Sequence, residues 1–165
     1  MKTKILALIG AAIMPLLAGC ATKPVTLSPV GPEPSHQTPY NSTGHLRVYS
    51  DTETCDIGEN NYYPHMGYVI RGESGKVIKF VPNHIGDMDE SPTLVTMPTG
   101  NYQVVAESSA YGRVTVPVII QAGKTTVLHL DRGWRPALNS SSNEVVRLPD
   151  GEAVGWSGSI AKSSE

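Results

Sequence analysis

The chain has 165 residues, a formal net charge of −2 and charged side chains at only 17% of positions. No basic patch stands out, which argues against a nucleic-acid partner. Once its leader is removed, the chain is about one domain long.

Taken in order, Lys2 and Lys4 form a basic start, and Ile5 to Leu17 an apolar stretch too short to span a bilayer. Leu17-Ala18-Gly19-Cys20 follows. This resembles the bacterial lipobox, with small residues before a cysteine whose thiol can take a diacylglycerol thioether. The resemblance implies a signal peptide over residues 1–19 and a lipoprotein held in the membrane by acyl (palmitate-type) chains on Cys20. Two or more chains on one residue give lasting attachment. In a Gram-negative host, Ala21 after the cysteine implies the outer membrane. The alternative is an ordinary secretory leader with a chance cysteine.

Residues 20–43 carry Pro24, Pro29, Pro32, Pro34 and Pro39 with little to bury. That composition predicts a disordered, partly polyproline-II tether, with a docked strand as the alternative.

Beyond it, period-two apolar spacing signals strands with one buried face. Residues 44–50 form the first, with Leu46 and Val48 inward. Asp51 to Pro64 reads as a polar loop. Residues 66–71 and 76–81 pair as a hairpin over Gly72-Glu73-Ser74-Gly75. Residues 83–91 form an acidic loop.

The clearest pattern runs from Ser91 to Asp131, as four short strands. Tyr102, Val104 and Ala106 share one face; Val114, Val116, Val118 and Ile120 form the next row, with Arg113, Thr115 and Gln121 outward. Thr126, Leu128 and Leu130 form the last, with His129 opposite. Pro98-Thr99-Gly100, Tyr111-Gly112 and Ala122-Gly123-Lys124 supply the turns. Pro117 lacks a ladder N–H, which points to an edge strand or a bulge.

Met97-Pro98-Thr99-Gly100-Asn101-Tyr102, Tyr111-Gly112 and Gly123-Lys124-Thr125-Thr126 resemble the PEGA and carboxypeptidase-regulatory-like family of small β-sandwich modules. The resemblance covers residues 44–131 and departs from the shorter modules between Asp51 and Tyr68. It implies an immunoglobulin-like or transthyretin-like sandwich of about seven strands. It is nearly silent on function.

Residues 132–158 read as a polar connector carrying Trp134, then a hairpin of 144–148 and 152–156 around Pro149-Asp150-Gly151. The tail, residues 159–165 and from Ser157 onward in the strictest reading, is expected to fray.

Several residues are candidates for chemistry. Tyr62, Tyr63 and His65, with Tyr68 and Tyr40 nearby, concentrate aromatic faces and polar tips. They suit sugar or peptide binding, or else cap the end of the sandwich. His84, Asp87 and Asp89 are weak metal candidates, a solvated acidic loop being the competing reading. Cys55, the sole thiol once Cys20 is acylated, leaves no intrachain disulfide and reads as packing. Gly155-Trp156-Ser157-Gly158-Ser159 fails as G-x-S-x-G at its fifth residue and in its context. No cofactor motif is present.

The expectation is therefore a non-enzymatic, lipid-anchored envelope module whose partners are membrane lipid, through Cys20, and an envelope protein or glycan. The alternatives are a carbohydrate- or peptidoglycan-binding module and a metal-assisted hydrolase.

Overall fold

The computed structural model describes residues 27–32, 42–137 and 144–158. The leader, Cys20, Tyr40 and the tail 159–165 lie outside the described residues. Those that are described form an all-β protein with no helix.

The strands are β1 (Gly31–Pro32), β2 (Thr43–Tyr49), β3 (Cys55–Ile57), β4 (Asn60–Tyr62), β5 (Tyr68–Gly72), β6 (Val77–Val81), β7 (Val95–Pro98), β8 (Gly100–Ser108), β9 (Gly112–Ile120), β10 (Thr125–His129), β11 (Val145–Arg147) and β12 (Ala153–Gly158). They form four sheets, ordered β6-β5-β8-β9, β10-β2-β7, β1-β12-β11 and β3-β4. The first is antiparallel throughout. In the second, β10 runs parallel to β2 and β7 antiparallel to it.

The alternating residues bury as strand geometry requires. Leu46, Val48, Val104, Val116, Val118, Leu128 and Leu130 are all fully buried and belong to one hydrophobic cluster. The first two sheets both contribute to it, an arrangement consistent with a β-sandwich.

Pro117 sits in an unbroken β8–β9 ladder, opposite Gln103. No bulge is needed, because β9 is the outermost strand of its sheet. Its outer edge is occupied instead by Val30, whose N–H donates to Pro117 O at 2.9 Å. The Ile119 N–H donates to Val30 O at 2.8 Å. The next two residues, Gly31 and Pro32, pair in parallel with Ser157 and Gly158 of β12. The short segment thus stitches the four-stranded sheet to the C-terminal hairpin.

Two glycines make that seam possible. Gly31 adopts φ 130°, and a Cβ there would lie 2.5 Å from Ile119 O. At Gly155 a Cβ would lie 2.4 Å from Val30 Cγ1. The valine fills the space that the missing side chain leaves, and is only 1% exposed.

Several expectations are corrected here. Residues 27–32 are not a disordered stretch: one buried valine and two backbone bonds to an open edge hold them. The C-terminal hairpin pairs as expected, and its Val146, Leu148 and Val154 join the same core as Val30. Ser157 is paired in β12 and not frayed. Gln121 is buried, because it directly follows β9 and its carbonyl faces Gly44 closely. Within the expected loop at 51–64, β3 and β4 form a small hairpin.

Candidate functional site

The residues singled out from sequence do not form one surface. Tyr62 ends β4 half-buried, and Tyr63 is exposed, its N–H donating to Glu90 Oε1 at 2.8 Å. His65 is buried; its Nδ1–H donates to Ser50 O at 2.7 Å and its ring meets Tyr49 edge-on. Tyr68 lies in the core, where burial pushes its hydroxyl well above the ordinary value. His65 and Tyr68 are therefore packing residues, and only the two β4-end tyrosines remain available to a ligand.

His84, Asp87 and Asp89 fare similarly. His84 donates from Nδ1 to His65 O at 2.9 Å. Asp89 caps its own loop, accepting from Ile85 N at 3.0 Å and Ser91 N at 3.1 Å. Those two bonds hold its carboxyl below the ordinary range despite some desolvation, with His84 helping. Among the described residues, no group of three or more His, Cys, Asp and Glu side chains is placed to hold a metal ion. Cys55 is half-buried rather than buried. Desolvation, then Asp87, Glu53 and Asp56, push its thiol up, away from the thiolate a nucleophile needs.

The loops carrying these residues are fixed by Asn83, which the sequence reading passed over. It is fully buried with φ 74°. Its Nδ2 donates to Val48 O and Ser50 Oγ, both at 2.9 Å, and its Oδ1 accepts from Thr93 N at 3.1 Å. Asparagine suits this place because it tolerates the left-handed region and carries both donor and acceptor.

A more convergent site lies at the other end of the chain. The parallel register pairs His129 with Tyr49, so both project from the same face of their sheet. Their rings stack at 4.7 Å and 10°. Trp134, from the segment after β10, stacks on His129 at 5.0 Å and 4°. Trp156 of β12 meets Trp134 edge-on at 5.5 Å. His129 thus points outward from the core, as expected, yet is covered by aromatic rings. Burial pulls its pKa down; Asp131, with Oδ1 3.9 Å from Nδ1, opposes this and His65 adds to it.

The stack pins the connector against the sandwich and leaves a cleft of about 600 Å³ beside it, lined by Arg132, Trp134, Arg135, Arg147, Asp150 and Glu152 among others. Arg147 donates to Gly151 O at 2.9 Å, and Asp150 accepts from Glu152 N at 3.0 Å. Glu152 Oε2 accepts from Ser108 Oγ at 3.2 Å, whereas its buried Oε1 has no hydrogen-bond partner. Desolvation raises the Glu152 pKa against the Ser108 bond and Arg132; Asp150 adds to the rise. Sequence reading took this region for a polar connector. The available signal was Trp134 flanked by Arg132 and Arg135.

A second recess, about 350 Å³, opens between β6 and β7 and is lined by Ile70, Ile78, Val95, Met97 and Tyr102. It has few polar groups to orient a ligand. The arginine cleft, with an aromatic wall and several converging polar groups, better fits the usual character of a specific binding site.

Comparison with protein-family models, with curated proteins and with solved structures found no match for this chain.

Proposed function

We propose that the protein is a non-enzymatic, lipid-anchored module of the bacterial cell envelope, built on an immunoglobulin-like or transthyretin-like sandwich of the PEGA type. The observation that carries this reading is Leu17-Ala18-Gly19-Cys20, placed after a basic and apolar leader and just before a compact β-domain. Cys20 takes the acyl chains, which hold the protein in membrane lipid. In a Gram-negative host that membrane is the outer one. The PEGA-type reading is supported by β7 to β10 following one another across turns at Pro98–Gly100, Gly112 and Gly123.

The domain acts by binding an envelope component. Supporting this is the cleft beside Trp134, where charged groups converge next to a fixed aromatic wall. It favours the glycan-binding form of the reading over a purely structural one.

Metabolic labelling with an acyl-chain analogue, followed by membrane fractionation, tests the anchor. Label and membrane association are expected in the natural protein and lost in Cys20→Ala. Absence of label from both forms would overturn it.

A further inference from the structure

We infer that the cleft between the Arg132–Pro136 segment and the β11–β12 turn binds an acidic saccharide, a hydroxyl-bearing ring carrying a carboxylate. Two kinds of group meet there.

The first is positive charge. Arg132, Arg135 and Arg147 line one cleft. Among the described residues, neither Arg135 nor Arg147 lies within ion-pair distance of a carboxylate. The two local carboxylates are committed elsewhere, Asp150 to the Glu152 N–H and Glu152 to Ser108 and Arg132. Guanidinium groups present paired N–H donors that match a carboxylate.

The second is an aromatic wall. Trp134 is held by His129 on one side and by the edge contact with Trp156. A ring already fixed by packing gives up little conformational freedom when a sugar face settles against it.

Charge alone would accept any anion; the aromatic wall selects one carried on a sugar ring whose face can lie against Trp134.

This deepens the binding-module reading and rests on it, but not on the anchor. Loss of labelling at Cys20 and loss of saccharide binding are separate results.

The test uses the full chain, whose only two tryptophans are Trp134, which lines the cleft, and Trp156, which packs against it. Tryptophan fluorescence and the two indole N–H resonances are followed during titration with an oligosaccharide of glucuronic acid. Its neutral glucose counterpart, glucose 6-phosphate and inorganic phosphate serve as the comparison arms. Saturable binding of the acidic saccharide is expected, weakened on the order of tenfold or more in Arg135→Ala, since hydrogen bonds to charged groups are worth at least that. Arg135→Lys should recover only part of it.

Several results would overturn the proposal: equal binding of the neutral sugar, no saturable change with the acidic one, or inorganic phosphate binding as tightly as the saccharide. Glucose 6-phosphate binding more tightly than the carboxylate would overturn the choice of anion. Because Arg135 is exposed, its replacement leaves the fold intact, and unchanged melting confirms that any loss is local.

Discussion

The four-stranded sheet ends in two edges that are treated in opposite ways. The β9 edge is covered: Val30 bonds to it on both sides and drops its side chain into the core. The β6 edge carries Val77, Ile78 and Phe80, each more than half exposed, beside the apolar recess. Unpaired apolar edges invite association, and proteins usually protect them. Here one edge is protected by a remote piece of the same chain. On the other, Lys76 precedes the edge strand and Lys79 lies within it. An edge is thus a matter of what the rest of the chain can bring to it, and not of strand composition alone.

The largest expected effect comes from Val30→Asp. Placing a carboxylate where no partner exists should cost at least about 4 kcal/mol, a large share of an ordinary domain's stability. Urea unfolding would read this as an early midpoint or no transition. Truncation tells the same story: removing residues 1–26 should leave the melting temperature nearly unchanged, while removing 1–32 should lower it sharply and expose β9. Equal stability of the two truncations would mean that the seam is dispensable.

Gly155→Ala should cost about 1–3 kcal/mol by overpacking against Val30. Combined with Val30→Ala, itself costing about 2 kcal/mol, it should show less than the additive loss. Strict additivity in denaturant melts would separate the two sites and break the seam argument.

The pH dependence is smaller. His129 has its folded pKa held below the ordinary value of 6.5, so the unfolded chain binds the proton more readily. Its contribution is neutral above that value, and stability falls as pH drops below about 6.5, down to the folded pKa. His129→Gln should flatten this part of the stability curve. A slope that is unchanged in the variant would assign the effect to another group.

The smallest effect belongs to the open edge. Ile78→Lys should move stability by only about 0.5 kcal/mol, yet reduce concentration-dependent association seen by light scattering. A large destabilisation would show that the edge is less free than its exposure indicates.

Much of the sandwich was legible from local pattern. Period-two rows from Tyr102 to Leu130 place most core side chains correctly, because strand alternation is a local property. The first strand and the β5–β6 hairpin were equally readable. What alternation cannot give is partnership at long range. Nothing near Val30 reveals that Gly155 makes room for it, and nothing near His129 reveals that Tyr49 is its parallel neighbour. Of the expected site residues Tyr62, Tyr63 and His65, the last is turned inward by the Ser50 carbonyl, a partner that its aromatic run does not reveal. The arginine cleft was missed because its parts come from three separate segments, brought together by packing of the two tryptophans.

Docking of the segment that begins at Leu27 also bears on where the domain works. A free stretch from Cys20 to Thr43 would reach up to about 80 Å when fully extended, whereas Cys20 to Leu27 reaches at most about 25 Å. Under the lipid-anchored reading, the protein then patrols a thin layer above its bilayer. Its encounters become a search over a surface, with ligands in that layer met at high effective concentration and those further off out of range.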